Sequence, residues 1–387
     1  MSALEPDDVR AIAVLRANRI GDLVFALPAL DALRARFPGS NIVLLGREWH
    51  ADLLANRPCP VDRVEVIPVD PLPGPGDDRP AARAFLERLR AQRFDVAVQL
   101  HGGGGASNAF VRALGARISV GMRTPDAQPL DRWIPYVYHQ HEVLRYLEVV
   151  GLAGAPPRGV EPHLAATDGD LDASLEVVER GAPFAVLHPG ATDPRRRWPA
   201  ASFAAVGGAL RERGLRVVVT GTGDEGAILE EIRSSAREQP IVARPPSLRA
   251  LVGVLARASV VVANDTGPLH LAGAVGTPTV GVYWVGNLIN GGPLTVDQRR
   301  HATSWRLACP ECGFDATLGR CEHNESFVAD VPVDEVLAAA VDLLERHRPR
   351  SDVLRTPSDG LSAGSSERRP RDREASSAPP GGTHRTA

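Results

Sequence analysis

The chain alternates short apolar runs with longer stretches in which apolar residues recur at helical spacing. In the first 150 residues, runs rich in Ile, Val and Leu predict strands near 11–15, 41–45, 64–69, 94–100 and 118–121. The stretches between and after them predict helices near 24–33, 49–56, 81–92, 105–114 and 142–150. Because strands that alternate with helices form a parallel sheet covered on both faces, this half predicts one doubly wound α/β domain.

The same alternation begins again after a stretch rich in glycine and proline at 151–162. Strands are predicted near 184–187, 217–220, 241–242, 260–263 and 279–283, and helices near 200–213, 225–237, 248–258 and 268–275. We therefore predict two doubly wound, Rossmann-like domains that face each other across a cleft.

The predicted domain bounds are 1–153 for the N-terminal domain, 154–182 for a linker region and 183–349 for the C-terminal domain. Residues 350–387 are dominated by Ser, Pro, Gly, Arg and Asp, with almost no large apolar side chain after Leu361. Such a segment buries too little apolar surface to offset its chain entropy. We therefore predict a disordered tail.

Composition and charge exclude several mechanisms and partners. All 44 basic residues are arginine, so the chain can supply neither a Walker A lysine nor a lysine Schiff base. The net charge of -3 provides no basic field, and we expect no nucleic-acid partner. No run of eighteen apolar residues occurs, and Asp7 and Asp8 stand where a secretion signal would be basic or apolar. The expected location is the cytoplasm.

Ligands of open α/β sheets bind beyond the carboxyl ends of the strands, where the sequence places four polar loops. The first loop follows the opening strand at 18–22, where Gly21 permits a tight turn and Asp22 begins a helix. Asp is common at this position as an N-cap, so capping competes with chemistry as the role of Asp22. No G-x-G-x-x-G motif follows the strand, which argues against a nicotinamide oxidoreductase.

The other three polar loops belong to the second predicted domain. In the loop at 264–270, the hydroxyl of Thr266 and the N–H groups of a new helix form an anion site. The loop at 188–199 carries three consecutive arginines, whose guanidinium groups match phosphate oxygens. The loop at 220–225 ends in Glu225, which suits ribose hydroxyls. The competing interpretations are a capped helix for the first of these loops and a solvated basic loop for the second.

A cysteine cluster lies late in the chain. Cys309 and Cys312 have the spacing of a zinc knuckle, and Cys321 and His323 would complete a tetrahedral set for a structural zinc ion. The alternative is a reduced or purely structural cluster that holds no metal.

Three of these segments together make the chain resemble a known family. They are 19–24, followed by Leu-Pro-Ala-Leu at 27–30; 188–199, from His-Pro-Gly to Arg-Arg-Trp-Pro; and 264–274, which begins Asn-Asp-Thr-Gly-Pro-Leu-His. In this order they resemble glycosyltransferase family 9, the bacterial ADP-heptose:lipopolysaccharide heptosyltransferases with the two-domain GT-B fold. The resemblance spans about residues 10 to 345.

The resemblance implies an enzyme that moves a sugar, with inversion, from a nucleotide-diphosphate donor to a glycan or lipid-linked acceptor of the cell envelope. ADP-heptose is the implied donor and lipopolysaccharide the implied product class. No cofactor is required, and peripheral contact with the inner face of the membrane is expected. The competing interpretation is a non-catalytic nucleotide-sugar-binding module with the same fold.

Roles for individual residues follow from the same resemblance. Asp22 would be the general base. Arg196, where the family normally has Lys, would offset charge on the departing diphosphate. The residues implied for the donor are Thr192, Glu225, Asp265, Thr266, Gly267 and His270, and those for the acceptor side are Gly21, His101 and Gly102.

Overall fold

The computed structural model describes residues 4–347, and the predicted tail at 350–387 lies outside them. The first half contains the strands β1 (Ala11–Leu15), β2 (Asn41–Gly46), β3 (Arg63–Val66), β4 (Val96–Gln99), β5 (Ile118–Arg123) and β6 (Arg132–Pro135). Its helices are α1 (Ile20–Arg36), α2 (Glu48–Leu54), α3 (Pro80–Arg90), α4 (Gly105–Ala113) and α5 (Glu142–Leu152).

The second half contains the strands β7 (Phe184–His188), β8 (Arg216–Thr220), β9 (Ile241–Ala243), β10 (Val260–Asn264), β11 (Thr279–Trp284) and β12 (Arg299–Ser304). Its helices are α6 (Asp168–Leu175), α7 (Ala200–Glu212), α8 (Gly226–Ser235), α9 (Leu248–Arg257), α10 (Gly267–Ala274), α11 (Val285–Gly291) and α12 (Val333–Arg346). None of the helices within residues 4–347 is long and apolar enough to cross a lipid bilayer.

The two sheets have the same topology, which confirms the predicted pair of doubly wound α/β domains. The first sheet runs β3-β2-β1-β4-β5-β6 and the second runs β12-β11-β10-β7-β8-β9, with every strand pair parallel. Ala13 of β1 pairs with Val43 and Ala97, and Val262 of β10 pairs with Leu187 and Val280. The strand order reverses between β1 and β4 and between β7 and β10. Doubly wound sheets bind ligands at such reversals.

The central strands are apolar on both faces because helices cover both sides of each sheet. All five residues of β7 and of β10 are buried, and so are all four residues of β4. The edge strands β6 and β12 are less buried than the central strands. β6 alternates between exposed and partly buried residues, and β12 buries only Ala302 and Ser304. These two edge strands were not predicted, because each has few apolar residues and depends on its neighbour for pairing, whereas the edge strands β3 and β9 were predicted.

Helix α6 lies inside the region predicted as a linker. It packs on α9, where a Cβ placed on Gly253 would lie 1.9 Å from the carbonyl oxygen of Asp170. Asp170 also forms a fully buried ion pair with Arg57 from the end of α2, at 2.8 Å. These contacts join the two halves. The domain bounds at 153 and 183 stay predictions.

Candidate active site

The N-termini of α1 and α10 meet, and each follows a strand at which its sheet reverses order. A Cβ placed on Gly267 would lie 3.0 Å from Cβ of Ile20, and one placed on Gly21 would lie 3.1 Å from Cδ2 of His270. Two backbones approach this closely only where glycine removes the side chain. The loops predicted from the sequence as ligand sites, one from each half, therefore face each other.

A cavity of about 240 Å³ lies between these two helix starts. Eight of the residues predicted from the sequence line it: Gly21, Asp22, Thr192, Arg196, Asp265, Thr266, Gly267 and His270. The remaining lining residues were not predicted: Arg19, Phe25, Glu142, Asn287, Asn290 and Gly291. We call this space the reaction cavity.

Asp22 contacts both the start of helix α1 and the cavity. Its Oδ2 accepts a hydrogen bond from the backbone N–H of Arg19 at 3.0 Å, and its side chain is 29% exposed. The N-cap of α1 is Arg19, so the interpretation of Asp22 as the N-cap is wrong by three positions. The helix begins earlier than predicted, and Asp22 reaches back to its first N–H as N3 residues do.

Arg16 is a functional candidate that the sequence reading missed. Its guanidinium is 2% exposed, with Nη2 2.6 Å from Oδ1 of Asp22 and Nε donating to the Asp22 carbonyl oxygen at 3.2 Å. Nη1 donates to the carbonyl oxygen of Leu100, and the ring of Tyr146 lies 5.0 Å from the guanidinium carbon. Burial lowers the pKa of Arg16, an effect that the carboxylate of Asp22 opposes. The sequence feature that could have identified Arg16 is its position as a charged residue directly after a buried strand.

Asp265 binds two neighbouring side chains. It is 6% exposed, with Oδ2 3.1 Å from Nη1 of Arg196 and Oδ1 3.0 Å from Nε2 of His270. Burial alone would raise the pKa of Asp265, but the bonds from His270 and Arg196 outweigh it and hold that pKa below its ordinary value. Thr266, not Asp265, is the N-cap of α10, and its side chain makes no capping bond within the described residues. Its hydroxyl remains available to a ligand.

Glu142 adds a third carboxylic acid to the reaction cavity, after Asp22 and Asp265. Its carboxylate accepts hydrogen bonds from Arg145 and from the hydroxyl of Tyr146, the same ring that lies beneath Arg16. Burial raises the pKa of Glu142, although Arg145 and Arg16 oppose the rise. No sequence signal identifies this residue, because it stands at a helix start distant in the chain from the polar loops.

A second cavity, of about 770 Å³, adjoins the reaction cavity through Thr192 and Thr266. Glu225 lines it, and its Oε2 accepts a hydrogen bond from the N–H of Thr222 at 2.8 Å. Arg244 also lines it, together with prolines 245 and 246. The predicted donor residues are thus divided between two connected spaces.

His101 and Gly102 are not among the residues that line the reaction cavity. Nδ1 of His101 accepts a hydrogen bond from the N–H of Ala17 at 3.3 Å, beside the loop that carries Asp22. Burial lowers the pKa of His101 to about 4, so its ring is neutral at pH 7. Gly102 has a φ of 67°, which favours glycine. Their role on the acceptor side stays a prediction.

The four predicted metal ligands come together. The ligand atoms of Cys309, Cys312, Cys321 and His323 all lie within 4.8 Å of one another. Gly313, at a φ of 72°, closes the turn, and its N–H donates to the carbonyl oxygen of Cys309 at 3.0 Å. Backbone N–H groups, first that of Cys312, lower the pKa of the Cys309 thiol to about 7. This donor set and its spacing fit one tetrahedral zinc ion.

Comparison with known proteins gives consistent results. The model of glycosyltransferase family 9 (heptosyltransferase) matches residues 82–311, more than half of the chain. Lipopolysaccharide heptosyltransferase 3 of Escherichia coli K12 is 22% identical over 350 residues, which cover 86% of this chain and 97% of that protein.

Two solved structures share the fold. The E. coli ADP-heptose lipopolysaccharide heptosyltransferase II has a TM-score of 0.67 and 20% identity, over 87% of this chain and 99% of the other. The E. coli heptosyltransferase WaaC with ADP has a TM-score of 0.56 and 23% identity, over 87% of this chain and 98% of the other.

Proposed function

Because the chain belongs to glycosyltransferase family 9 and is a glycosyltransferase, we propose that it transfers heptose from ADP-heptose to a saccharide of lipopolysaccharide. The anomeric carbon inverts in a single displacement. One observation carries this proposal: eight residues implied by the family line one cavity, with the carboxylate of Asp22 and the N-terminus of α10 on it. The names of similar proteins, among them a heptosyltransferase solved with ADP, support the choice of donor.

The donor's diphosphate would bind at the start of α10. The hydroxyl of Thr266 and the N–H of Gly267 are donors there, and the helix dipole favours negative charge. Thr192 lies where the two cavities join, so the nucleoside extends into the second cavity, with its ribose hydroxyls at Glu225. The sugar then lies in the reaction cavity.

Asp22 would act as the general base. The acceptor oxygen attacks the anomeric carbon while the bond from that carbon to the β-phosphate oxygen breaks, and the acceptor proton passes to the Asp22 carboxylate. Each oxygen of this carboxylate already accepts one bond, from Arg16 or from the N–H of Arg19, and keeps a further lone pair for the proton.

Arg196 would stabilise the departing ADP. In the described structure its Nη1 contacts Asp265, and the rest of its planar fork can bond phosphate oxygens. Asp265, which also bonds His270, holds this arginine at the wall of the reaction cavity. Charge stabilisation at the leaving group is the usual way in which such sites lower the barrier.

Thermal shift with a panel of nucleoside diphosphates tests the donor assignment. A ligand at one hundred times its Kd stabilises the folded protein by about 2.7 kcal/mol, which we expect for ADP and not for UDP or GDP. Equal shifts for all three would contradict an ADP donor.

Transfer to a lipopolysaccharide core acceptor, followed by NMR of the new anomeric centre, tests inversion. Binding of ADP without any transfer would support the non-catalytic module, which membership of an enzyme family does not favour.

We further propose that Cys309, Cys312, Cys321 and His323 bind one structural zinc ion, while transfer itself requires no cofactor. The ion would crosslink a segment with little regular structure. Elemental analysis of purified protein should find about one equivalent of zinc, lost on chelation. The cytoplasmic location and the contact with the inner membrane face stay predictions.

A further inference from the structure

The residues on both sides of Arg196 are hydrogen-bonded to the segment that follows the cysteine cluster. The N–H of Phe327 donates to the carbonyl oxygen of Arg195 at 2.7 Å. The hydroxyl of Ser326 donates to the carbonyl oxygen of Arg197, also at 2.7 Å. The backbone that carries Arg196 is therefore fixed from outside its own loop, three to four residues after the last cluster ligand, His323.

Side-chain contacts reinforce this connection. The guanidinium of Arg195 bonds both carboxylate oxygens of Asp193, and its carbon lies 5.1 Å from the ring centre of Phe327. Arg320, between the second and third cysteines, approaches the same Asp193 at 3.8 Å. The segment and the arginine loop thus share an ion-pair network and an aromatic contact.

Between β12 and the buried residues Phe327, Val328 and Val331, the segment has little regular structure to hold its shape. Within the described residues it contains one isolated bridge, between Ala308 and Asp315, and no helix or strand. Leu318 is 81% exposed, while Cys309 and Phe327 are buried. A segment with so few buried apolar contacts opens locally at low cost unless something crosslinks it.

We propose that metal binding at the cysteine cluster controls the donor site, by ordering the segment 309–327 and so fixing Arg196 where it binds the donor diphosphate. This rests on the proposed function, because it takes the reaction cavity as the ADP site. Ser326 is a positioning residue in this arrangement: it touches neither metal nor donor and acts through the backbone of Arg197. The occupied cluster and bound ADP then stabilise each other, as linkage requires.

The experiment compares the zinc-loaded protein with the chelated protein. ADP affinity is measured by calorimetry, and backbone order by hydrogen exchange. We expect chelation to weaken ADP binding about tenfold and to speed exchange at 193–198, while the buried strand β7 stays protected. Added Zn²⁺ should restore both. Unchanged ADP affinity in folded, metal-free protein would overturn the proposal, and so would a protein that takes up no Zn²⁺.

A variant that keeps all four ligands separates positioning from loss of the fold. Ser326→Ala removes the bond to Arg197, and a second one received from Val328, without touching the cluster. We expect it to retain its zinc and to bind ADP several-fold more weakly. Thr317→Ala is the matched control, because the Thr317 hydroxyl bonds only to Asp315 inside the segment.

Each result has a distinct meaning. If chelation unfolds the protein, the Ser326→Ala variant becomes the test of the proposal. An ADP affinity equal to that of the wild type in this variant would overturn it. Equal weakening by Thr317→Ala would also overturn it, since the effect would then be general to the segment. If the zinc-loaded wild type binds no ADP, the donor assignment fails instead.

Discussion

The carboxylate of Asp22 is hydrogen-bonded to the first turn of its helix and paired with the buried Arg16, and it also lines the reaction cavity. The Asp22→Asn variant separates these roles. Asn can still accept from the N–H of Arg19, but it provides no charge opposite Arg16. We therefore expect some loss of stability alongside the loss of the base.

We predict that Asp22→Asn lowers kcat by about 10²–10⁴, the usual contribution of a general base, while ADP affinity stays near that of the wild type. Rate assays with saturating donor and calorimetry with ADP check the two halves of this expectation. Asp31→Asn, on the same helix but outside the reaction cavity, is the control and should keep its activity. A fully active Asp22→Asn enzyme would leave Asp22 with a structural role only.

The charge of Arg196 has two partners, the carboxylate of Asp265 and the proposed donor. We predict that Arg196→Ala weakens ADP binding by about 1.5–3 kcal/mol, tenfold or more, since a hydrogen bond to a charged group is lost. The loss should be smaller for AMP, which lacks the second phosphate. Calorimetry with both nucleotides checks this.

Arg211→Ala serves as the control for Arg196, because Arg211 lies on α7 of the same half and pairs with Glu238 at the surface. Its ADP affinity should match that of the wild type. An identical loss for AMP and ADP in Arg196→Ala would mean that Arg196 does not meet the second phosphate.

The site depends on the close approach of helices α1 and α10, which meet where Gly21 and Gly267 have no side chain. We predict that Gly267→Ala lowers stability by about 1–3 kcal/mol, because its Cβ would lie 3.0 Å from Ile20 and force the helices apart. ADP affinity should fall with it, since the N–H groups at the start of α10 move. Urea unfolding and calorimetry measure the two effects.

Gly208→Ala is the matched control for this contact. Gly208 lies within helix α7, and nothing stands within 4 Å of a Cβ placed on it. Alanine in a helix interior is favoured over glycine by about 0.5–1 kcal/mol, so this variant should be slightly more stable. Destabilisation of both variants by the same amount would show that crowding between α1 and α10 is not the cause.

The central strands, which are buried on both faces, were predictable from the sequence, whereas helix α6 and the edge strands β6 and β12 were not. The apolar runs of β1, β2, β7 and β10 predicted strands because parallel sheets bury both faces. The sequence of α6 is acidic with little apolar spacing, and it folds by close backbone contact with α9.

The same distinction holds in the site. Loops after strands pointed to Asp22 and Thr266, because each follows a strand at which its own sheet reverses order. Arg16 and Glu142 could not be recognised as site residues from the sequence, because their place in the site depends on contacts made only in the folded chain, chiefly with Tyr146. The start of α1 was misplaced because Arg19, which has no capping side chain, is its N-cap.

The buried pair of Arg57 and Asp170 joins the two halves of the molecule through residues that do not line the reaction cavity. We predict that Asp170→Asn destabilises the protein by about 3–5 kcal/mol, because a guanidinium with 1% exposure loses its counter-charge. Urea unfolding measures this. The exposed Asp172→Asn on the same helix should change stability by less than about 0.5 kcal/mol. Similar values for the two variants would mean that the buried pair contributes little.

The largest group of packed apolar side chains draws on both halves, from Leu23 and Leu27 of α1 to Leu269 and Leu271 of α10. A gene fragment that encodes either half alone would give a chain with that apolar face open to water, and such a face promotes self-association. We therefore expect the halves to melt in one calorimetric transition and to resist separate expression. Co-expression of the two fragments, which can bury the face against each other, should recover soluble material.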